Sequence, residues 1–302
     1  MLPIALIALA GFAAQLVDGS LGMGYGVTSS TLLIAIGLAP AAASASVHLA
    51  ELGTTAASAV SHVRLGNVDK RVLARIAVPG AIGAFLGATV LAGLSTAAAR
   101  PWTSTLLLIL GVYVLIRFAR AKTMRLRKGR PGKRFLIPLG LVGGFIDATG
   151  GGGWGPVTTP SLIADGRMAP NRVVGTMNTA EFAVSLAASV GFLLALGLSA
   201  IDLRILLPLL IGGVIAAPIA ARITKRLPMR IMGVSVGALV ILTNSYTLLR
   251  ALGAPVDTQI TVLAALFAIS VTAITYVTVE HRRSMRTLQV ADDAEVMAAG
   301  RG

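Results

Sequence analysis

The sequence predicts an all-α polytopic membrane protein: two inverted-topology repeats of five hydrophobic segments, each with a Gly-rich broken or re-entrant helix, plus one extra C-terminal helix. Three observations predict it. Hydrophobic residues make up 55% of the 302-residue chain and charged residues only 13%, whereas a soluble chain carries about a quarter charged residues. The apolar residues fall into blocks, several of which reach the roughly 20 residues that a helical span needs. Two breaks between blocks are Gly-rich and sit at matching places in the two halves, which in membrane proteins marks a ligand site built from broken helices.

The blocks run 2–17, 25–39, 42–62, 72–94, 101–118, 135–149, 155–164, 173–197, 204–222, 229–249 and 258–279. Leu, Val, Ile and Ala fill them, with Gly and Pro scattered inside as membrane helices tolerate. Blocks 2–17, 25–39, 135–149 and 155–164 are too short for an ordinary span and flank the Gly-rich stretches. Each short pair is either two thin crossings or a hairpin that enters and leaves on one side. The start, Met1-Leu-Pro-Ile-Ala-Leu-Ile, lacks the basic n-region of a signal peptide and reads as a first membrane segment. The chain has no Cys, which excludes disulfides, thiol catalysis and Cys-ligated metal and leaves the redox compartment unreadable.

A net charge of +14 raises nucleic acid as a partner, but its placement argues against it. Nine basic residues lie between Arg117 and Arg134, in one connector between apolar blocks, as expected of a cytosolic loop facing anionic lipid. With that loop in the cytosol and one crossing per block, only Arg100, Arg204 and Arg250 of the 26 basic residues fall on the opposite side. The expected topology in an inner or plasma membrane is N-terminus outside and C-terminus cytosolic. The expected organisation is a first transmembrane repeat at 1–118, a basic cytosolic loop at 119–134, a second, inverted repeat at 135–250, an extra helix at 251–279 and a cytosolic tail at 280–302.

The halves echo each other at an almost constant offset. Gly11-Phe12 matches Gly144-Phe145, Gly24-Tyr25-Gly26 matches Gly153-Trp154-Gly155, and Pro40 answers Pro170. Ala50-Glu51 answers Ala180-Glu181, Gly80-Ala-Ile82 answers Gly213-Val-Ile215, and Leu115-Ile-Arg117 answers Leu248-Leu-Arg250. An odd number of blocks per half turns the second half over relative to the first. Asp18 and Asp147 flank the bends without being matched in this alignment, and either could cap a helix start.

The strongest site signal is Gly150-Gly-Gly-Gly-Trp-Gly-Pro156, with a weaker twin in Gly22-Met-Gly-Tyr-Gly26. Such runs cannot hold a regular helix cheaply, and backbone freed at membrane depth must be buried in protein or line a cavity. Free N–H groups beside a helix start favour an anion. The expected substrate-binding residues are Gly22, Gly24, Gly26, Gly151, Gly152, Gly153, Gly155, Thr158 and Asn178. A Leu at position 152 is then expected to block flux and leave the fold intact. For any single Gly or hydroxyl the alternative is helix packing; Thr28, Ser29, Ser30, Thr158, Thr159 and Ser161 carry both readings.

Acidic groups inside apolar blocks default to function. Glu51, in His48-Leu-Ala-Glu51, and Glu181, in Asn178-Thr-Ala-Glu181, each share a helix face with the polar residue three positions earlier. Glu51, Glu181, Asp147 and His48 are the coupling candidates, with a proton or Na⁺ as coupling ion; a hydrogen-bonding role between repeats is the alternative. His48 and His62 lie far in sequence from any ligand-like cluster and no His-Glu-x-x-His is present, so no metal and no cofactor are expected. The Gly-Tyr-Gly of the first bend differs from a potassium filter because its twin reads Gly-Trp-Gly. There is no Walker-type Gly-Lys-Ser/Thr and no nucleophile elbow, so neither an ATP-driven pump nor an enzyme is expected.

Taken as a set, Gly151-Gly-Gly-Trp-Gly-Pro156 with Pro160, and Ala45-Ser-Val-His-Leu-Ala-Glu51 through Ser61-His-Val-Arg-Leu-Gly-Asn-Val-Asp69, resemble the sulfite exporter TauE/SafE family, also called the TSUP permease family, over about residues 11–250. The resemblance implies transport of small sulfur oxyanions such as sulfite or organosulfonates. Two departures stand out: Ser20-Leu-Gly-Met-Gly replaces a pure Gly run in the first bend, and a C-terminal helix and basic tail are added. The expectation is a secondary transporter of small anions working by alternating access around both bends, the second favoured for the anion. A passive anion channel and a non-transporting scaffold are the alternatives, and the oligomeric state is left open.

Overall fold

The computed structural model describes residues 4–21, 23–120, 129–198, 201–223 and 229–299. Gly22 and residues 121–128 of the basic connector lie outside the described residues. Each apolar block becomes a helix: α1 (Ile4–Leu21), α2 (Tyr25–Ala35), α3 (Pro40–Arg64), α4 (Lys70–Gly93), α5 (Thr96–Ala119), α6 (Lys133–Gly150), α7 (Trp154–Asp165), α8 (Pro170–Leu196), α9 (Leu203–Ile223), α10 (Met229–Ala251) and α11 (Val256–Ala299). Among the described residues, six helices carry stretches long and apolar enough to cross a membrane: Lys70–Gly93, Thr96–Ala119, Asn171–Leu196, Leu203–Ala220, Gly233–Ala251 and Val256–Arg283. The molecule is an all-α polytopic membrane protein.

Local chemistry explains the boundaries. Pro40 and Pro170 each open a helix, where the missing N–H is no loss and the fixed φ already suits the first turn. Ser95 caps α5 through Ala98 N–H, and Asp69 caps α4 through the N–H groups of Arg71 and Val72. One boundary differs from expectation. The last helix continues without a break from the apolar block into the tail, up to Ala299, because 280–299 contains neither Gly nor Pro and is rich in good helix formers.

The chain packs across its halves. The main partners are α4 with α6, α1 with α9, α4 with α8, α5 with α10, and α3 with both α8 and α9. Small residues make the close crossings: Gly83 and Gly87 of α4 face Leu141 and Phe145, while Gly140 and Gly144 of α6 face Ile76 and Gly80. With little hydrophobic drive between helices in lipid, such close backbone contact is what holds the pair. Two aromatic anchors cross over in matching fashion. Trp154 of α7 is fully buried and lies against Gly80, its indole N–H donating to Met177 O at 3.1 Å. Tyr25 of α2 lies against Gly213 and donates to Leu209 O at 3.3 Å.

Helix α3 is 25 residues long yet too polar to be among the six apolar spans. Ser44, Ser46, His48, Glu51, Thr54, Thr55 and Ser58 are all buried in it, because α2, α8 and α9 pack against it. It is the polar axis of the molecule. By contrast only 11% of the apolar stretch of α11 is buried, and its principal neighbour is α10.

Two predictions test this architecture. Asp69 pairs with Arg130 Nε at 2.8 Å, and its own N–H donates to Thr176 Oγ1 at 2.9 Å. Burial opposes its charge, but Arg130 and the Val72 and Arg71 N–H groups outweigh burial and hold the carboxyl below its ordinary value. Asp69→Ala should cost about 1–2 kcal/mol of stability, and Asp69→Asn, which keeps a cap, less than about 1 kcal/mol because Arg130 is half exposed. A depressed carboxyl stabilises fully above its unfolded value and less as pH falls, so the difference between wild type and Asp69→Asn in thermal unfolding should close below about pH 4. Separately, Gly144→Val should cost about 3 kcal/mol by overpacking the α4–α6 crossing. The half-exposed Ile82, changed to Val, should shift the same melting curve by less than about 0.5 kcal/mol.

Candidate functional site

The two Gly-rich breaks meet at the centre of the helix bundle. Helix α6 ends at Gly151, whose φ of 71° is left-handed, and Gly152 N–H closes back on Asp147 O at 2.9 Å. Gly152 follows at φ 150°, a conformation essentially confined to Gly. Its Cα rests on Gly26 in the first turn of α2, and any Cβ there would meet the backbone of Gly26 and Val27. A Leu at position 152 therefore forces the bends apart, which overturns the expectation that such a change spares the fold. Hydroxyls of the first half satisfy the carbonyls that α6 leaves unpaired at its end: Ser44 Oγ donates to Ala148 O at 2.8 Å, Thr103 Oγ1 to Thr149 O at 3.1 Å, and Ser30 Oγ to Gly151 O.

The start of α7 is also satisfied from within. Asp147 Oδ1 accepts from Gly153 N–H at 2.7 Å and from Trp154 N–H at 2.9 Å. The sequence reading expected these N–H groups to be free for an anion; the chain supplies its own carboxylate instead, in the position an oxyanion would take. Asp18 stands in the same relation to α2. It lies seven residues before Tyr25, as Asp147 does before Trp154, and its carboxyl reaches the Tyr25 N–H. The two aspartates are therefore counterparts, contrary to the alignment drawn from sequence. The offset that matches Tyr25 to Trp154 also carries Asp18 onto Asp147.

Asp147 has a second bond. Its Oδ2 lies 3.1 Å from His48 Nε2, while His48 Nδ1 lies 2.8 Å from Ser44 O. His48 thus belongs to an acidic cluster, which corrects the placement of His48 away from one; 99 residues of separation hid the contact. One turn along α3, Glu51 Oε2 accepts from Ser185 Oγ of α8 at 3.0 Å. Its other oxygen, Oε1, has no hydrogen-bond partner and is directed at Gly26, at the contact between the bends. Glu181 lies within electrostatic range of Asp18, Glu51 and Asp147. His48, Glu51, Asp147, Asp18 and Glu181 are 0%, 1%, 1%, 2% and 6% exposed. His48, Glu51 and Asp147 each offer a ligand atom within 4.8 Å of the others. That geometry does not require a metal, because the Nε2–Oδ2 approach closes as a hydrogen bond.

The remaining expected residues separate into two groups. Gly24, at φ 122°, caps α2, and Gly155 is buried in the first turn of α7. Asn178 is buried with its amide N–H bound to Val174 O and its Oδ1 unpaired. Thr158 stands apart from the site's hydrogen bonding: its hydroxyl donates to Trp154 O at 2.6 Å and its methyl faces Gly143. On α2, in contrast, the buried hydroxyls of Thr28 and Ser29 have no partner. His62 is buried in the last turn of α3 with Nδ1 unpaired. Sequence reading missed Ser44, Ser185 and Gln15, whose buried Nε2 is also unpaired. Gln15 had a readable signal: Gln15 and Asp18 repeat the spacing of His48 with Glu51 and of Asn178 with Glu181.

Buried carboxylates, unpaired hydroxyls and two broken helices thus meet in one place; Ser44 Oγ lies 3.3 Å from His48 Nδ1 but donates to Ala148 O. Residues 7–247 match the family described as sulfite exporter TauE/SafE. The chain is 48% identical over 279 residues to the probable membrane transporter protein YtnM of Bacillus subtilis (strain 168), covering 92% of this chain and 93% of that protein. No solved structure matches the chain. By sequence, the chain belongs to the sulfite exporter TauE/SafE family of membrane transporters, not to an enzyme family.

Proposed function

We propose that the chain is a secondary transporter of a small anion, of the sulfite, organosulfonate or related sulfur-oxyanion class, working by alternating access about the paired bends. The observation that carries this reading is the meeting of Gly26 with Gly151 and Gly152, surrounded by buried ionisable side chains. Broken helices meeting at depth are how secondary transporters build a substrate site. The oxyanion donors are the Gly153 and Trp154 N–H groups, once Asp147 yields them, and the free hydroxyls of Thr28 and Ser29. Glu51, Glu181, Asp147 and His48 form the coupling group.

Inverted repeats at 1–118 and 135–250 agree with the crosswise packing: α4 holds α6 as α9 holds α1, and Trp154 seats on Gly80 as Tyr25 seats on Gly213. With the connector 119–134 facing anionic lipid in the cytosol, the N-terminus is outside and the C-terminal tail inside. A gated mechanism is favoured over a passive channel because backbone fills the junction of the bends. An anion passes only when they part.

Flux into liposomes tests the reading. Radiolabelled sulfite uptake should saturate and show counterflow; saturation without counterflow would point to a channel, and no flux of any sulfur oxyanion would end the transport reading. Gly152→Ala should lose at least about 3 kcal/mol of stability together with flux, as overpacking and backbone strain act at one point. For sidedness, a label that cannot cross the membrane should modify Arg100→Cys from outside and Lys128→Cys from inside, in a chain with no Cys of its own. Reversed labelling would invert the topology.

A further inference from the structure

Taking the anion-transport reading as its basis, we propose that the coupling ion is a proton held between His48 Nε2 and Asp147 Oδ2, that Glu51 Oε1 is its neighbouring acceptor, and that Asp147 links proton occupancy to occupancy of the anion site.

Hydrogen-bond chemistry requires the proton. A backbone carbonyl only accepts, so at 2.8 Å from Ser44 O the His48 Nδ1 must carry its hydrogen. In a neutral ring Nε2 would then be a bare lone pair, facing a carboxylate oxygen 3.1 Å away. Two acceptors at that distance repel. The contact closes only if one further proton lies in it, on the imidazole or on the acid. Glu51 adds a second requirement: Oε1 is buried without a partner at the contact of the bends, where an unpaired ionised oxygen is costly.

The charge around the pair points the same way. The titratable groups facing it are Asp18 from α1, Tyr25 from α2 (its hydroxyl turned to Leu209 O), Glu51 beside His48 on α3, and Glu181 from α8. Among the described residues, no Lys or Arg acts on Asp18, His48, Glu51 or Glu181. An anion entering among four carboxyls and one imidazole is repelled unless positive charge enters with it. Na⁺ is poorly served here. Hard cations seek several oxygen ligands, whereas the His48–Asp147 contact sets one oxygen against an imidazole nitrogen and the carbonyls of Ala148, Thr149 and Gly151 beside it already accept hydroxyls.

Asp147 makes the link because its two oxygens have different partners. Oδ1 holds the Gly153 and Trp154 N–H groups and Oδ2 faces the imidazole. When the proton moves across the gap, the Nε2–H bond breaks, an Oδ2–H bond forms, and imidazolium with carboxylate becomes imidazole with carboxylic acid. The neutral acid is a weaker acceptor, so Oδ1 loosens from the two N–H groups and a substrate oxyanion takes its place. Loss of both anion and proton leaves two facing lone pairs, and their repulsion opens the contact. One proton therefore travels with each anion.

The test uses the full chain in liposomes with a trapped pH indicator and isethionate, a sulfonate whose charge is constant across the working pH range. An inward isethionate gradient should acidify the lumen, and His48→Gln and Asp147→Asn should each reduce proton movement at least tenfold. In a second measurement, ¹⁵N-histidine NMR of the protein should show both His48 ring nitrogens protonated near neutral pH, with the Nε2 proton lost in Asp147→Asn. Saturable, Na⁺-dependent isethionate flux at constant lumen pH would overturn the proposal. So would a His48 protonated at Nδ1 alone beside an ionised Asp147 in the wild type, or a Zn²⁺-induced rise in unfolding temperature that His48→Gln abolishes. If no sulfur oxyanion moves in the wild type, the transport reading fails and the coupling role with it; a His48 imidazolium seen in that case would mark failure of transport alone, with the shared proton intact.

Discussion

Asp147 must satisfy two sets of partners at once. The break after α6 leaves bare N–H groups at the start of α7, and one oxygen of this carboxylate takes them at 2.7 and 2.9 Å. The other oxygen holds His48 of α3 at 3.1 Å. Without the first bond a helix start would be unsatisfied at membrane depth, where no water replaces it. The second joins Ser44 Oγ, which donates to Ala148 O at 2.8 Å, in tying the break to the polar axis of the molecule. This one side chain therefore links the start of α7 to α3, while Ser44, Thr103 and Ser30 hold the carbonyls at the end of α6.

The surrounding structure keeps such a group away from lipid. Helix α3 carries most of the polar side chains, and α8 supplies Asn178, Glu181 and Ser185. Both helices lie inside the packing of α4 and α9, whose Gly residues allow the approach that excludes lipid and water. The apolar outer helices and polar inner ones are thus one arrangement: buried hydroxyls and carboxyls are tolerable only where neighbouring backbone and side chains replace solvent.

The halves correspond in layout and differ in chemistry. Asp18 and Asp147 answer each other, as do Tyr25 and Trp154. His48, however, is answered by Asn178, which cannot hold a charge, and the unpaired hydroxyls of Thr28 and Ser29 contrast with the bonded hydroxyl of Thr158. The imidazole–carboxylate contact therefore lies at the second bend, with its imidazole from the first half, and the unpaired hydroxyls lie on the first bend. The sequence-based preference for the second bend as the anion's place is weakened, because that bend already holds a carboxylate.

Composition and periodicity determined the eleven helices, their order and the two breaks, because the length of a span, the penalty on Gly in a helix and the cost of charge in lipid act locally along the chain. Glu51, Glu181, Asp147 and His48 were legible as exceptions to those rules. Which of them touch was not legible. His48 and Asp147 are 99 residues apart, and no local rule brings α3 against the end of α6. The same limit hid Ser185 behind Glu51 and made Leu at 152 look harmless, since the Gly26 backbone it would strike lies far along the chain. Sequence alone determined which groups are costly to bury; the tertiary packing decided which partner meets each cost, because hydrogen bonds and van der Waals contact are settled over a few ångströms in space.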